Sequence, residues 1–145
     1  EQDVEALMAW RTMVDDTFRD DLSADATFAV SSSRGDGYEA VAMQGVDEAY
    51  WATADDVTTG DVYIRWDAPI TMRYVVIQEH IALGQRVRRF AVEARDGDEW
   101  RQVAAGTTVG YKRILPLDDA VTTSELRIRF LDSRGPLTIA RVAVY

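Results

Sequence analysis

The segment ELRIRFL, residues 125–131, alternates strictly, with Leu126, Ile128 and Phe130 falling on one side and Arg127 and Arg129 on the other. Successive side chains of a β-strand point to opposite faces, so this period of two predicts a strand with one core face and one face for solvent or a partner. Working outward, the same pattern recurs in TFAVSS, DVYIRW, TMRYVVIQE, RRFAVEAR, EWRQVAA and TIARVAVY, all rich in valine, isoleucine and aromatic residues. In RRFAVEAR it buries Phe90, Val92 and Ala94 and exposes Arg89 and Glu93. Turn signals separate the segments at Arg34-Gly35-Asp36-Gly37, Asp67-Ala68-Pro69, Asp96-Gly97-Asp98 and Ser133-Arg134-Gly135-Pro136. Short strands joined by such turns, with no helix between them, predict an all-β antiparallel sandwich or jelly roll. Trp51, Trp66 and Trp100 lie in apolar contexts and are expected in its core.

The first residues follow another period. In EQDVEALMAWRTMVDDTFRDDL, Val4, Leu7, Met8, Val14, Phe18 and Leu22 recur every three to four positions among acids and arginines. This predicts an amphipathic helix over 1–24, leading into a sandwich over 25–145. Its apolar stripe is expected to pack on the sandwich or on a preceding domain. The polar face is acidic, which disfavours a membrane-surface role.

A chain of 145 residues is one ordinary domain. It contains no run of eighteen apolar residues and no basic-plus-apolar leader, so neither a spanning helix nor a targeting peptide is expected in this stretch. The net charge of −9 argues against a nucleic-acid partner. That charge is uneven: residues 1–64 carry 3 basic and 15 acidic side chains, residues 65–145 carry 13 and 10. The absence of cysteine excludes disulfides and thiolate metal sites.

Catalytic machinery is missing from the pattern. The single histidine, His80, leaves no H-E-x-x-H motif, and no G-x-S-x-G elbow occurs. The paired aspartates Asp15-Asp16, Asp20-Asp21, Asp55-Asp56 and Asp118-Asp119, on turns and a helix surface, read as solvated charge; a glycosidase pair among them stays open, because its two carboxylates meet only in space. GTTVGYKRI, residues 106–114, has glycines and the chain's only lysine, but its spacing is not that of a phosphate loop. Together with QEHIALGQRV, residues 78–87, it places hydrogen-bonding side chains on loops at strand ends, where binding groups concentrate. The alternative reading of the same residues is that Glu79 and Gln78 pair with Arg86 or Lys112 to lock the loops together.

The order Y-W-A-T, V-V-I-Q-E-H-I-A-L-G-Q-R-V, F-A-V-E-A, W-R-Q-V-A-A-G-T-T-V-G-Y-K-R-I and a closing V-A-V-Y resembles the C-terminal domain that follows the catalytic barrel in many alpha-L-fucosidases. The resemblance covers nearly the whole chain. It implies a discoidin-like jelly roll of the coagulation factor 5/8 type C and family 32 carbohydrate-binding-module kind, without catalysis of its own and without a cofactor. It also implies a secreted or periplasmic bacterial protein, whose partner is a glycan or the fucosidase barrel and not a membrane. The implied ligand set is Glu79, His80, Gln85, Arg86, Tyr111 and Lys112.

Galactose-binding relatives use an arginine, an asparagine, a histidine and an aromatic platform; here the first two positions fall near Glu79 and at Gly84-Gln85. The family calcium pattern resembles D-G-D-x-x-T-Y-W, whereas this chain reads Gln44-Gly45-Val46-Asp47-Glu48-Ala49-Tyr50-Trp51, and Arg141 stands where a last-strand glutamate is common. Calcium requires carboxylate and carbonyl oxygens. The site is therefore expected to be lost, with Arg141 pairing with Asp47 or Glu48.

Overall fold

The structure is a computed structural model that describes residues 22–31, 43, 50–54, 56–80, 83–110 and 112–145. The helix expected over 1–24 lies almost wholly outside them; its described end, Leu22–Asp25, is a short 3-10 helix. That end is tied to the body, because Trp66 Nε1 donates to Leu22 O at 2.8 Å and Ser23 Oγ to Val142 O at 3.4 Å.

The described residues form seven strands: β1 Thr27–Val30, β2 Trp51–Ala52, β3 Gly60–Glu79, β4 Val87–Asp96, β5 Glu99–Gly106, β6 Arg113–Ser133 and β7 Thr138–Val144. Every pairing is antiparallel, in the order β2-β7-β3-β6-β4-β5 with β1 also on β3.

Two of these strands are about twice as long as the alternation suggested. DVYIRW and TMRYVVIQE are one strand of 20 residues, and ELRIRFL is the second half of one of 21. Asp67-Ala68-Pro69, expected as a turn, is an irregularity within β3, where the register against β6 shifts between Arg65 and Ile70. Pro69 has no N–H to give to a ladder, so it interrupts the pairing without ending the strand.

The first half of β3 pairs with β1 and the second half of β6, while its second half pairs with β7 and the first half of β6. Side chains from both halves meet in one core. Val62, Ile64, Phe90, Val92, Leu126, Ile128 and Phe130 come from one layer and Val75, Ile77, Leu115, Val142 and Val144 from the other. Trp51 on β2 reaches Phe130 on β6 across the core, ring centroids 6.1 Å apart. The result is an antiparallel jelly-roll sandwich, and the faces assigned by alternation in ELRIRFL and RRFAVEAR are those observed.

Trp51 and Trp66 are core residues, but Trp100 is not. It pairs with Arg95 on the edge strand β5 and lies half-buried on the outer face. There Arg127 Cζ stands 4.5 Å over its ring and Tyr63 packs beside it at 6.3 Å. Arginine stems and guanidinium planes cover aromatic rings well, which is how an apolar-looking neighbourhood on an edge strand arises without a core position. Arg127 also donates to Glu93 at 2.6 Å. Burial works against its charge, but the Glu93 hydrogen bond and carboxylate, with Tyr63, outweigh it and raise its pKa.

Candidate functional site

Glu79 ends β3 and is 2% exposed. Its Oε1 accepts from the backbone N–H of Arg86 at 2.9 Å and of Val87 at 3.0 Å, and its Oε2 accepts from Gly110 N–H at 2.8 Å. In return Glu79 N–H donates to Gly110 O at 3.1 Å. A buried carboxylate is costly unless it is satisfied, and three charge-assisted bonds to backbone satisfy this one. The two loops noticed in the sequence are thus joined through one side chain. The lock reading named Arg86 correctly, but the donor is its amide and not its guanidinium.

Gly110 adopts φ +68° and Gly84 φ +94°, a left-handed region that glycine enters without a Cβ penalty. Gly106 is glycine for another reason. It stands opposite Phe90, and a Cβ there would come within 2.8 Å of Phe90 Cζ.

A third segment joins the same end. Arg86 Nη1 donates to Pro136 O at 3.0 Å and Arg86 O accepts from Arg134 N–H at 2.8 Å. The Ser133–Pro136 turn is thereby held against the loop before β4. Between the three segments opens a cleft of about 290 Å³, lined by Gln85, Val87, Arg88, Thr108 and Arg134. Val87 forms a buried floor. Arg88 Nη2 donates to Asp132 Oδ1 at 2.9 Å. The side chains of Gln85, Thr108 and Arg134 form no hydrogen bond with any described residue.

Of the residues singled out from sequence, Gln85 lines this cleft, and Glu79 and Arg86 build its walls from behind. His80 is placed differently: its ring stacks on Tyr50, centroids 4.1 Å apart and planes 16° from parallel, while its N–H donates to Thr138 O at 2.8 Å. Lys112 opens onto the outer sheet face beside Gln78, Ile114, Arg141 and Tyr145. Tyr111 lies outside the described residues, as do Gln44, Asp47, Glu48 and Ala49 of the calcium stretch and hence the pairing expected for Arg141. The described member of that set, Arg141, faces Gln78 across the β3–β7 ladder near Lys112.

Arg88, Thr108 and Arg134 were missed as cleft residues. Thr108 lies within GTTVGYKRI, Arg134 within the Ser133–Pro136 turn and Arg88 one position beyond QEHIALGQRV, but Arg88 and Arg134 are 46 positions apart in sequence.

The cleft lies at the loop end of a jelly roll, and its described lining holds no carboxylate. The family 32 carbohydrate-binding module of C. perfringens NanJ, solved in complex with galactose, has the same fold, with a TM-score of 0.73 at 15% identity over 84% of this chain and 94% of that one. The chain is homologous to the C-terminal part of alpha-L-fucosidases. It is 30% identical over its whole length to Alpha-L-fucosidase 1 of Arabidopsis thaliana, of which it covers 30%. A putative alpha-L-fucosidase from Bacteroides thetaiotaomicron gives a TM-score of 0.85 at 26% identity, over 91% of this chain and 30% of that chain. The chain therefore spans about a third of the length of these fucosidases. No family model matches it.

Proposed function

We propose that this domain is a noncatalytic glycan-binding module of an alpha-L-fucosidase, holding a galactose- or fucose-containing glycan at the rim cleft. The observation that carries the reading is the convergence of three polar side chains without a hydrogen-bond partner among the described residues, Gln85, Thr108 and Arg134, on a cleft whose backbone is pinned by Glu79. Fixed loops reduce the ordering cost of binding. The galactose complex of the C. perfringens module supports the ligand class. Binding is weak in this reading and acts by keeping substrate near a tethered barrel, since local concentration rises without tight contact. A secreted or periplasmic setting, where such glycans are met, belongs to the same proposal. The test is an NMR titration of the chain with fucose, galactose and a fucosylated oligosaccharide. Shifts at the Gln85 side-chain amide and the Thr108 amide are expected, and silence across the panel would overturn the reading.

One observation favours a second reading, in which the domain docks on the fucosidase barrel. Ile114 is 41% exposed on the outer sheet face, beside Tyr145 and above the buried Val76 and Ala143. Exposed apolar groups ringed by polar ones suit a domain interface. If docking is the role, Ile114→Asp weakens co-elution of this chain with a separately produced barrel and leaves glycan titrations unchanged.

A further inference from the structure

The donor and acceptor inventory of the rim cleft is lopsided. Arg88 and Arg134 line it, and Arg86 stands behind it with its guanidinium on Pro136 O. Each guanidinium offers five N–H donors and no acceptor. Two carboxylates come near, and both are engaged: Asp132 by Arg88 at 2.9 Å, Glu79 by three backbone amides. The side-chain acceptors left on the lining are the Gln85 carbonyl and the Thr108 hydroxyl. Neutral sugars, whose hydroxyls both donate and accept, are matched by linings that do both. A donor-rich lining matches an acceptor-only group.

The setting sharpens the point. The chain carries −9 overall, yet Arg86, Arg88 and Arg134 stand at this end, and Arg134 has no carboxylate partner among the described residues. An exposed guanidinium with no internal partner retains its full fork for a planar or tetrahedral oxyanion. Arg88 needs only one arm for Asp132, so its remaining donors face the same space.

We propose that the rim cleft takes an anionic sugar, one bearing a carboxylate or a sulfate group, with Arg134 as the principal anion contact, Arg88 as the second, and Gln85 and Thr108 on neighbouring hydroxyls. This rests on the glycan reading above and narrows its ligand class.

The test uses the whole chain and three oligosaccharides of equal length: a neutral galactotriose, trigalacturonate, and a sulfated galactotriose. Calorimetric or NMR affinities are measured at low and raised sodium chloride. At least one acidic oligosaccharide is expected to bind about tenfold more tightly than the neutral one at low salt, a difference that shrinks as salt screens the contact. Preference for the uronate or for the sulfated sugar identifies which anion the cleft fits, and either supports the proposal. Arg134→Gln, which removes no side-chain hydrogen bond to a described residue, should abolish most of the preference while leaving the melting temperature unchanged. Arg88→Gln should reduce acidic binding further, because it also unmasks Asp132. Equal binding of neutral and acidic sugars, with Arg134→Gln silent, would overturn the anion inference and leave the glycan reading standing. No binding of any of the three would overturn both.

Discussion

The carboxylate of Glu79 holds the backbone amide of Gly110 at 2.8 Å, across 31 positions of sequence. With its other oxygen on the amides of Arg86 and Val87, this single buried group sets the spacing of two loops. Glu79→Gln keeps the shape but removes the charge and turns one acceptor into a donor facing an amide. The expected loss is about 1–3 kcal/mol of unfolding free energy, measured by urea denaturation. Amide exchange at Arg86, Val87 and Gly110 should accelerate more than exchange in the centre of β6.

Gly106 of GTTVG and Gly97 of the β4–β5 turn make separable predictions. Gly106→Ala drives a Cβ to 2.8 Å from Phe90 Cζ in the core, and the ring, itself 1% exposed, has little room to give. A destabilisation of about 1–3 kcal/mol is expected. Gly97→Ala meets nothing within 4 Å and carries only the strain of φ +63°, a cost of about 1–2 kcal/mol. Comparing urea midpoints separates steric from conformational cost; the Gly106 variant should also perturb the shifts of Phe90 and Phe130, whose centroids are 6.5 Å apart, while the Gly97 variant should not.

The tryptophans should rank by layer position. Trp51→Ala empties a fully buried site against Phe130, with an expected cost of about 3–5 kcal/mol. Trp100→Ala removes an outer-face ring under Arg95 and Arg127 and should cost clearly less. Equal losses in thermal melts would show that the outer-face cluster counts as core.

Trp66→Phe tests the tie between the chain's leading segment and the sandwich. It deletes the 2.8 Å donation to Leu22 O and retains an aromatic ring. About 1 kcal/mol should be lost, and proteolytic cleavage near residues 22–26 should quicken before the melting temperature falls appreciably.

The alternation of ELRIRFL and RRFAVEAR was enough to assign core and surface faces, because a half-buried strand writes its environment into every second residue. Strand length was harder to read. Pro69 and its neighbours carry turn chemistry, yet the sheet tolerates them as an irregularity, a tertiary outcome that local composition does not encode. Lys112 shows the same limit at the site. Its motif neighbours Gly106 and Gly110 serve the rim, but the chain has entered the approach to β6, where period two sends Leu115 inward and Lys112 and Ile114 outward. His80 was legible as a loop residue and not as the stacking partner of Tyr50, which lies 30 positions away. Arg88 and Arg134 become neighbours because β4 pairs with the end of β6, Val87 opposite Ser133, and Arg86 clamps the turn that follows.

The uncommon length of β3 and β6 also bears on mechanical load. Both strands belong to both layers, so the two sheets share covalent backbone and cannot peel apart as separate leaves. A pull applied to the loops at the end of β3 runs along that strand and is resisted by rows of ladder hydrogen bonds perpendicular to it, loaded together in shear. If the rim holds a glycan as proposed, this topology spreads such a pull over the whole sandwich before any single contact at the rim has to yield.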